Sequence, residues 1–333
     1  MKWLSLMIPG KDPQGHPIIS VLAKATWSIA KGSVVISEHQ VPFVKCDQFS
    51  DPLCPHLSEV LAESDVLAYK LLPDVVFRGN AFVPGGRMAH YITCSVCVGA
   101  LSKEIRVFGE RTLRIGLFNR ISDPLPFSSV EICYKKAFGG ISKTKKGIPV
   151  ICAPNPIGCG FVHKDQLKGG DELKLPSQED PETPLDFDII ACGRMESWAD
   201  FPLPASLGWT RRDFYPRCTF AGAGQGMLEN PPNFDFRFYQ GASDGLWGKP
   251  LNGDERVVLK NLDPYAADFE FVLPGTKPVI WVNKGKGKQV LDPVLQTLVI
   301  DKKEDLLTIV YRGSAFYEGV ESLGDYVIEY GVE

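Results

Sequence analysis

The stretch PIISVLAKATWSIAKGSVVISEHQVPFVK, residues 17–45, decides the fold class because its apolar and β-branched side chains alternate along the chain. Alternation with a period of two is typical of strands that have one buried face. Lys31, Gly32 and Ser33 interrupt the pattern with residues that favour a tight turn. The stretch therefore predicts a β-hairpin of two long strands.

Similar patterns recur before and after the middle of the chain. In the first half, residues 74–84, 89–99 and 103–115 predict three more antiparallel strands. Strands resume at Arg256 and continue to the end of the chain, where DYVIEYG is the last of them. We therefore expect a mainly β fold of antiparallel sheets in a sandwich-like arrangement.

One or two short helices are expected beside these strands. The best candidate lies in HLSEVLAESDVLAYK, residues 56–70, where apolar side chains recur at helical spacing. Residues 1–333 are interpreted as a single domain. It comprises a β meander over about 1–123, a loop-rich central region over about 124–250 and a C-terminal β region over about 251–333. Scattered aromatic residues in the central region favour long, ordered loops.

Composition excludes several classes of protein. The 333 residues are 44% hydrophobic and 23% charged, as expected of a soluble globular protein. A formal charge of −4 gives no general attraction to nucleic acid or to an anionic membrane. Pro9 and Gly10 end the apolar N-terminal run before it reaches the length of a signal sequence, so we expect a cytoplasmic protein.

Spacing of cysteine and histidine gives no metal site. The five histidines show no HxxxH or HExxH, no second pair of ligands lies at metal-site spacing, and the nine cysteines are interpreted as reduced thiols. Cys94 and Cys97 form the only CxxC, but three residues apart on a strand they point to opposite faces. We expect no metal and no cofactor.

The stretch from Cys133 to Phe161 contains two glycine-bearing turns on either side of a basic loop. Neither GxxxxGK[ST] nor GxGxxG is present, and no amphipathic helix follows that would hold a phosphate at its N-terminus. The glycines therefore indicate a structured loop. Its lysines at 143–146, like those at 284–288, suit an acidic partner, although exposed lysines are mostly solvated.

Two further features invite a chemical interpretation. Lys70 and Asp74 are spaced to form an ion pair at a sheet edge. Glu131, Asp186 and Asp235 supply the acid and base of an alternative hypothesis, a hydrolase that acts on cell-wall or glycan material. That hypothesis requires a deep cleft with two carboxylates about 5–10 Å apart. The acidic run at 179–188 has no glycine on which a calcium loop turns, and we interpret it as a solvated loop.

The segment WTRRDFY, residues 209–215, combines aromatic rings with two arginines, which are residue types enriched at binding hot spots. An equally open interpretation is that the aromatic rings pack on the sheet while the arginines pair with Asp213 or the acidic run. Together with one residue of the glycine loop, the candidate partner contacts are Trp209, Arg211, Arg212, Phe214, Tyr215 and Phe138.

A series of short motifs runs in one order from about residue 20 to residue 320. Among them are KLLPDVVFRGNAF (70–82), YKKAFGG (134–140), NPIGCGF (155–161), NFDFRF (233–238) and YRG (311–313). Their order resembles a family of bacterial type VI secretion accessory proteins, catalogued as domain of unknown function 2169. The signature residues in this chain are Lys70, Asp74, Gly79, Gly139, Gly140, Asn155, Pro156, Gly158, Gly160, Arg237, Arg312 and Gly313.

The resemblance implies a non-catalytic adaptor or chaperone in the cytoplasm. Such a protein binds a type VI effector, often one with a PAAR-type tip domain, and helps to load it onto the VgrG spike. It requires neither a cofactor nor catalytic residues, and it binds neither nucleic acid nor membrane. A passive structural component of the secretion apparatus is a third hypothesis, which predicts stoichiometric presence in the assembled machine.

Overall fold

The computed structural model describes residues 3–186, 202–222, 233–283, 287–316 and 329–333. These residues form twenty-five strands and six short 3-10 helices. In chain order the strands are β1 Leu4–Lys11, β2 Pro17–Ala30, β3 Ser33–Ile36, β4 Gln48–Phe49, β5 Val60–Ala62, β6 Asp74–Arg78, β7 Asn80–Phe82, β8 Tyr91–Val98, β9 Leu101–Phe108, β10 Thr112–Arg114, β11 Arg120–Ile121, β12 Ser129–Glu131, β13 Phe138–Gly139, β14 Ile141–Lys143, β15 Pro149–Ile151, β16 Cys159–Gly160, β17 Glu172–Lys174, β18 Gln178–Glu179, β19 Arg256–Lys260, β20 Asp268–Val272, β21 Ile280–Asn283, β22 Lys288–Leu291, β23 Val294–Asp301, β24 Leu306–Phe316 and β25 Glu329–Val332.

The 3-10 helices are the only helices among the described residues, and none reaches seven residues. They span Pro55–Leu57, Pro84–Gly86, Tyr134–Lys136, Lys164–Gln166, Arg217–Ala221 and Phe236–Tyr239. None has the length and apolar character needed to cross a lipid bilayer. The mainly β fold class predicted from the sequence is confirmed.

A six-stranded sheet joins the two ends of the chain. Its strands run in the order β1-β2-β24-β23-β6, and β3 also pairs with β2. The central pair, β2 and β24, is antiparallel over eleven registered positions, from Ile18 opposite Phe316 to Ser28 opposite Leu306. β2 is buried along nearly its whole length, as expected of a strand with neighbours on both sides and covered faces.

The predicted hairpin at residues 17–45 is present, but its second strand is short. Lys31 and Gly32 both have positive φ, at 49° and 79°, which is the geometry of a tight hairpin turn. β3 ends at Ile36 because the side chain of Gln40 folds back onto β2. Its Nε2 donates to the Thr26 carbonyl at 2.9 Å, and its Oε1 accepts from the Thr26 amide at 2.8 Å. The Ser37 amide still donates to the Thr26 carbonyl at 2.9 Å, so the Gln40 side chain replaces only the carbonyl of the next strand residue.

A five-stranded sheet, β18-β9-β8-β19-β20, packs its inner face against the first sheet. Phe269 and Phe271 of β20 are buried while the residues between and beside them are exposed, the alternation of a half-buried strand. Buried residues of both sheets, among them Val75 and Ile309 from the first and Ile105 from the second, belong to one core. The sandwich-like arrangement follows from this shared core.

Two sequence predictions about residues 1–123 are wrong. β6 runs parallel to β23, with Val75 opposite Leu298, instead of joining an antiparallel meander. The strands of this region are divided between the two large sheets, because both ends of the chain contribute to the first sheet. The outer edge of β6 is covered by loops, since the amides of Val75 and Phe77 donate to the carbonyls of Leu246 and Leu207.

The predicted helix in residues 56–70 is also wrong. The chain there forms the 3-10 turn Pro55–Leu57 and then strand β5. Glu63, which a surface helix would leave in solvent, is buried, and its Oε2 accepts from the Arg217 guanidinium at 3.0 Å. This tertiary ion pair overrides the local periodicity. Parts of the acidic run, of the basic turn at 284–288 and of the last predicted strand lie outside the described residues.

Candidate functional site

The glycine-bearing stretch from Cys133 to Phe161 folds around the side chain of Asn155, which is completely buried. Its Nδ2 donates to the carbonyl oxygens of Tyr134 at 2.8 Å and Phe138 at 3.0 Å. The backbone carbonyl of Asn155 accepts from the amide of Gly140 at 2.8 Å. One asparagine therefore ties the first glycine turn to the second, and β13 and β16 pair in parallel beside it.

Two glycines are required by this close approach. A Cβ at Gly139, where φ is +150°, would overlap the carbonyl oxygen of Asn155. A Cβ at Gly158 would lie 2.6 Å from the carbonyl oxygen of Ala137. Because neither obstacle is the end of a flexible side chain, any larger residue must push the two turns apart. The stretch is thus a rigid base, as its sequence indicated.

The base is fixed to the rest of the protein through Tyr134. Its hydroxyl is hydrogen-bonded to Thr210 Oγ1 at 2.8 Å and to Ser243 Oγ at 3.0 Å. The ring meets Phe214 edge-on, with 6.3 Å between centroids. Burial raises the pKa of the Tyr134 hydroxyl, so it stays neutral.

Phe138, a predicted partner contact, is buried in a small core with Cys152, Phe161 and Leu185.

The hairpin formed by β14 and β15 projects from this base. Ile141 lies directly opposite Ile151, and the next outward pair is Lys143 opposite Pro149. The intervening pair faces inward, since Val150 packs against the small core that contains Phe138. The outward isoleucines are 45% and 46% exposed, and Ile148 beside them is more exposed still. We call Ile141, Ile148, Pro149 and Ile151 the outer face of the hairpin.

Lysines lie at the turn end of this outer face and in the neighbouring segment 164–168. Residues 141–168 contain five lysines (143, 145, 146, 164 and 168) and one acidic residue, Asp165, which gives a formal charge of +4. All five lysines are exposed. The 3-10 turn Lys164–Gln166 is held beside the hairpin, because Asp165 Oδ2 accepts from the Lys145 amide at 3.1 Å and Gln166 Nε2 donates to the Thr144 carbonyl at 3.2 Å.

Most of the partner contacts predicted in residues 209–215 are buried. Trp209 is 6% exposed and Phe214 is completely buried. The Arg211 guanidinium lies beneath the surface, where it donates to the carbonyls of Pro55 and Ser58 and to the carboxylate of Asp213. The structure therefore matches the alternative interpretation, in which the aromatic rings pack on the sheet and an arginine pairs with Asp213.

Arg212 and Tyr215 lie nearer to solvent than the other three. Arg212 lies within 3.4 Å of Asp47 Oδ1 and 3.8 Å of Glu63 Oε1. Tyr215 is half-buried, and its amide donates to the carbonyl of Ala153 at 2.9 Å. Of the five candidate contacts in this segment, a partner thus reaches only Arg212 and Tyr215 without rearrangement of the protein.

The predicted ion pair between Lys70 and Asp74 is present and buried, with 2.5 Å between Nζ and Oδ2. Asp74 lies at the start of edge strand β6, but the covering loops exclude solvent. Its carboxylate also accepts from Gln240 Nε2 at 2.9 Å and from the Gly241 amide at 2.7 Å. Lys70 Nζ lies 5.6 Å from the centre of the Trp209 ring. This pair therefore fixes loop residues to the sheet edge.

The remaining signature residues also have contacts that stabilise the fold. Arg312 is buried on β24, where its guanidinium stacks over Tyr69 and donates to the Lys70 carbonyl at 3.1 Å. A Cβ at Gly313 would lie 2.8 Å from the side chain of Leu291, and one at Gly79 would meet the ring of Phe77. Gly160 has positive φ, Pro156 is half-buried between the two glycine turns, and Arg237 pairs with Asp235 near the surface.

A comparison with known families bears on these signature residues. The profile of one family, described as an uncharacterized protein conserved in bacteria (DUF2169), matches residues 14–312. The chain belongs to this family. No curated protein and no solved structure matches the DUF2169 chain.

Two of the three carboxylates offered for a hydrolase in this DUF2169 protein, those of Glu131 and Asp235, are engaged in ion pairs. Glu131 is bonded to Lys303, and this bond lowers the pKa of the carboxyl group. A hydrogen bond from Arg237 likewise lowers the pKa of Asp235. A general acid at neutral pH requires the opposite shift. Asp186 is exposed, and no group of three or more His, Cys, Asp or Glu side chains suited to a metal occurs within the described ranges.

The cysteines of the CxxC behave as the strand geometry predicts. Cys94 is buried on β8, where desolvation raises the pKa of its thiol to about 12. Cys97 points the other way and is half-buried, with its Sγ 3.2 Å from Ser102 Oγ. A thiol with so high a pKa is a poor nucleophile and a poor metal ligand at neutral pH.

The outer face of the hairpin is the feature that sequence reasoning missed. The sequence shows the basic character of residues 143–146, but it does not show that the isoleucines beside them face outward. The sequence ISKTKKGIPVI does contain a signal, because β-branched residues flank a Lys-Lys-Gly turn on both sides. Which of the two faces is outward depends on the small core beneath, which the local pattern does not reveal.

Proposed function

We propose that this protein is a non-catalytic adaptor that binds a type VI secretion effector and helps to load it onto the VgrG spike. The observation that carries the proposal is the hairpin of β14 and β15, which presents an apolar outer face within a basic rim on a rigid base. Binding surfaces are built in this way, with apolar side chains at the centre and polar groups around them.

The rigid base supports this function for a thermodynamic reason. A binding surface that is ordered before association loses less conformational entropy when the partner arrives. Asn155 and the glycines around it hold the base without a ligand. The half-exposed isoleucines then contribute to binding, since burial of a full isoleucine side chain stabilises by about 1.5–3 kcal/mol.

The proposed partners follow from the order of sequence motifs shared with type VI accessory proteins. They are an effector, in particular one with a PAAR-type tip domain, and the VgrG spike that carries it. Loading takes place in the cytoplasm, before secretion, and requires neither a metal nor an organic cofactor. Glu131 and Asp235 have a structural role in this proposal, since each forms an ion pair with a neighbouring Lys or Arg.

Affinity purification of the tagged full-length chain from its bacterial host tests the proposal. We expect mass spectrometry of the retained proteins to detect a type VI effector, a PAAR protein or VgrG, enriched over an unrelated tagged protein. The same purification from a strain that lacks VgrG should retain the effector, because an adaptor binds cargo before the spike. Enrichment of none of the three contradicts the proposal.

A further inference from the structure

We infer that the outer face of the β14–β15 hairpin docks an acidic segment of the partner protein whose apolar side chains cover Ile141 and Ile151. The inference deepens the proposed function: it rests on that function for the partner's identity, and on the hairpin alone for the partner's chemistry.

Charge is the first observation. Residues 141–168 carry +4 within a chain whose formal charge is −4, so this segment is basic although the chain as a whole is acidic. The only carboxylate in this range, Asp165, accepts a hydrogen bond from the Lys145 amide. Lys143, Lys145 and Lys146 are exposed around the turn, and within the described ranges they form no ion pair. A positive rim of this kind attracts and orients a negatively charged partner.

Apolar character is the second observation. Directly opposed residues of an antiparallel pair lie about 4.5–5.5 Å apart at Cβ, so Ile141 and Ile151 form one continuous apolar spot. Strands with one solvated face normally place polar residues there. Two isoleucines at the outward positions, with Ile148 and Pro149 next to them, are the reverse of that pattern.

The fold of the hairpin does not depend on these outward side chains. Val150 packs inward on the small core, and Ser142 Oγ accepts from the His163 amide at 2.8 Å. The amide of Cys152 donates to the Gly140 carbonyl at 3.0 Å and closes the base of the hairpin. Because the inner face supplies the anchoring contacts, the outer face is available to a partner.

Together the two observations define the occupant. Covering the isoleucines requires apolar side chains on the partner, and neutralising the rim requires carboxylates beside them. A nucleic acid would neutralise the lysines but has no aliphatic side chains to cover the isoleucine pair. Binding to an anionic membrane requires a larger continuous apolar face than one pair of isoleucines provides. We therefore infer a protein segment in which Asp or Glu residues flank apolar ones.

Site-specific photo-crosslinking in the bacterial host tests this inference. The full-length chain is produced with p-benzoylphenylalanine in place of Ile151, and in a matched control in place of Leu53, which is 92% exposed in another loop. We expect an adduct from position 151 at about ten times the yield of position 53, since the yield follows occupancy of the site. Sequencing the crosslinked peptide should give a segment in which carboxylates flank apolar residues.

Charge reversal provides the second arm. Lys143→Glu, Lys145→Glu and Lys146→Glu, combined with the crosslinker at position 151, should reduce adduct yield about tenfold. The control reverses three exposed lysines elsewhere, Lys249, Lys260 and Lys277, which changes the net charge equally. Circular dichroism of both variants establishes that each is folded.

The outcomes separate the inference from the proposed function. An acidic crosslinked segment from an effector, PAAR protein or VgrG supports both. An acidic segment from a protein outside type VI secretion supports the inference and contradicts the proposed function. Equal yields at positions 151 and 53, a crosslink only to lipid or nucleic acid, a segment without carboxylates, or equal loss in both charge-reversed variants overturns the inference, whatever the affinity purification gives.

Discussion

Asn155 is the residue on which the base of the hairpin depends most. Its buried side chain satisfies two carbonyl groups, those of Tyr134 and Phe138. Asn155→Ala removes the side-chain donor of the Phe138 carbonyl, whereas the Tyr134 carbonyl keeps the Ala137 amide at 3.2 Å. We expect the free energy of unfolding to fall by about 1–3 kcal/mol, the cost of one unsatisfied buried group. Urea denaturation monitored by tryptophan fluorescence measures the change. A loss below about 0.5 kcal/mol, the range of ordinary surface substitutions, contradicts this role.

The buried ion pair of Lys70 and Asp74 gives a second prediction at this scale. Lys70→Met removes the charge that balances the buried Asp74 carboxylate, and such a change costs about 3–5 kcal/mol of unfolding free energy. Adding Asp74→Asn removes the unpaired charge but keeps an acceptor for Gln240 or Gly241. We therefore expect the double variant to be more stable than Lys70→Met alone. If the two losses simply add, the pair is not coupled in the way its geometry indicates.

Single residues differ in how much of their role can be predicted from sequence. The glycine and Asn-Pro motifs predicted a structured loop because their backbone geometry is local. Trp209 and Arg211 were expected at a binding surface because their residue types are common there, yet both are buried. Residue type does not determine burial, which depends on the sheet edge that residues 202–222 happen to cover.

Trp209 therefore belongs to the core, and its substitution should lower the stability of the fold without acting directly on partner contacts. Trp209→Ala removes a large buried side chain next to Lys70, and we expect a loss of about 3–5 kcal/mol of unfolding free energy. Thermal denaturation followed by circular dichroism measures it. If the variant keeps the wild-type melting temperature but no longer binds its partner, Trp209 acts in partner binding and the prediction is wrong.

At the scale of elements, the hairpin and its base should respond differently to substitution. Ile141→Thr with Ile151→Thr changes only outward side chains, and we expect the unfolding free energy to change by less than about 1 kcal/mol. Gly139→Ala, by contrast, places a Cβ against the Asn155 carbonyl and should destabilise strongly. Gly169→Ala is the matched control, because no atom lies within 4 Å of its Cβ. A strong effect of the double threonine variant would mean that the outer face is part of the core.

Elements were predictable where their determinants are local. The hairpin turn at Lys31 and Gly32 and the strands β8 and β9 follow from alternation and turn residues close in sequence. The helix expected in residues 56–70 failed because Glu63 is held by Arg217, more than 150 residues away. Helical spacing of a few apolar residues is a weaker determinant of local structure than a buried ion pair of this kind.

At the scale of the whole molecule, the pairing of the two chain ends is the feature that sequence reasoning could not supply. β2 pairs with β24 and β6 pairs with β23, so two strands from the last part of the chain lie between strands from the first part in one sheet. Each strand is recognisable alone, but the order in a sheet depends on which apolar faces meet in the shared core. The division into three consecutive regions therefore describes the sequence, and the sheets cut across it.

Stability of the whole chain should decline in acid. Lys303 lowers the pKa of Glu131 in the folded protein, so this carboxylate stabilises the fold above its unfolded pKa. That contribution is lost as pH falls below the ordinary glutamate value of about 4.3 and through the lower folded value. Urea denaturation between pH 3 and pH 7 checks this. Replacing Glu131 with Gln should make the pH profile shallower, and an unchanged slope would show that other groups govern it.

Isothermal titration calorimetry with purified type VI proteins tests the central claim most directly. The full-length chain is titrated with the effectors, PAAR proteins and VgrG of its host, and the lysine-reversed hairpin variant is titrated alongside. We expect at least one of these proteins to bind with a Kd of about 1 μM or tighter, which corresponds to about −8 kcal/mol. We also expect the lysine-reversed variant to bind that protein about tenfold more weakly. Absence of binding to all of them, by a folded chain, would contradict the account.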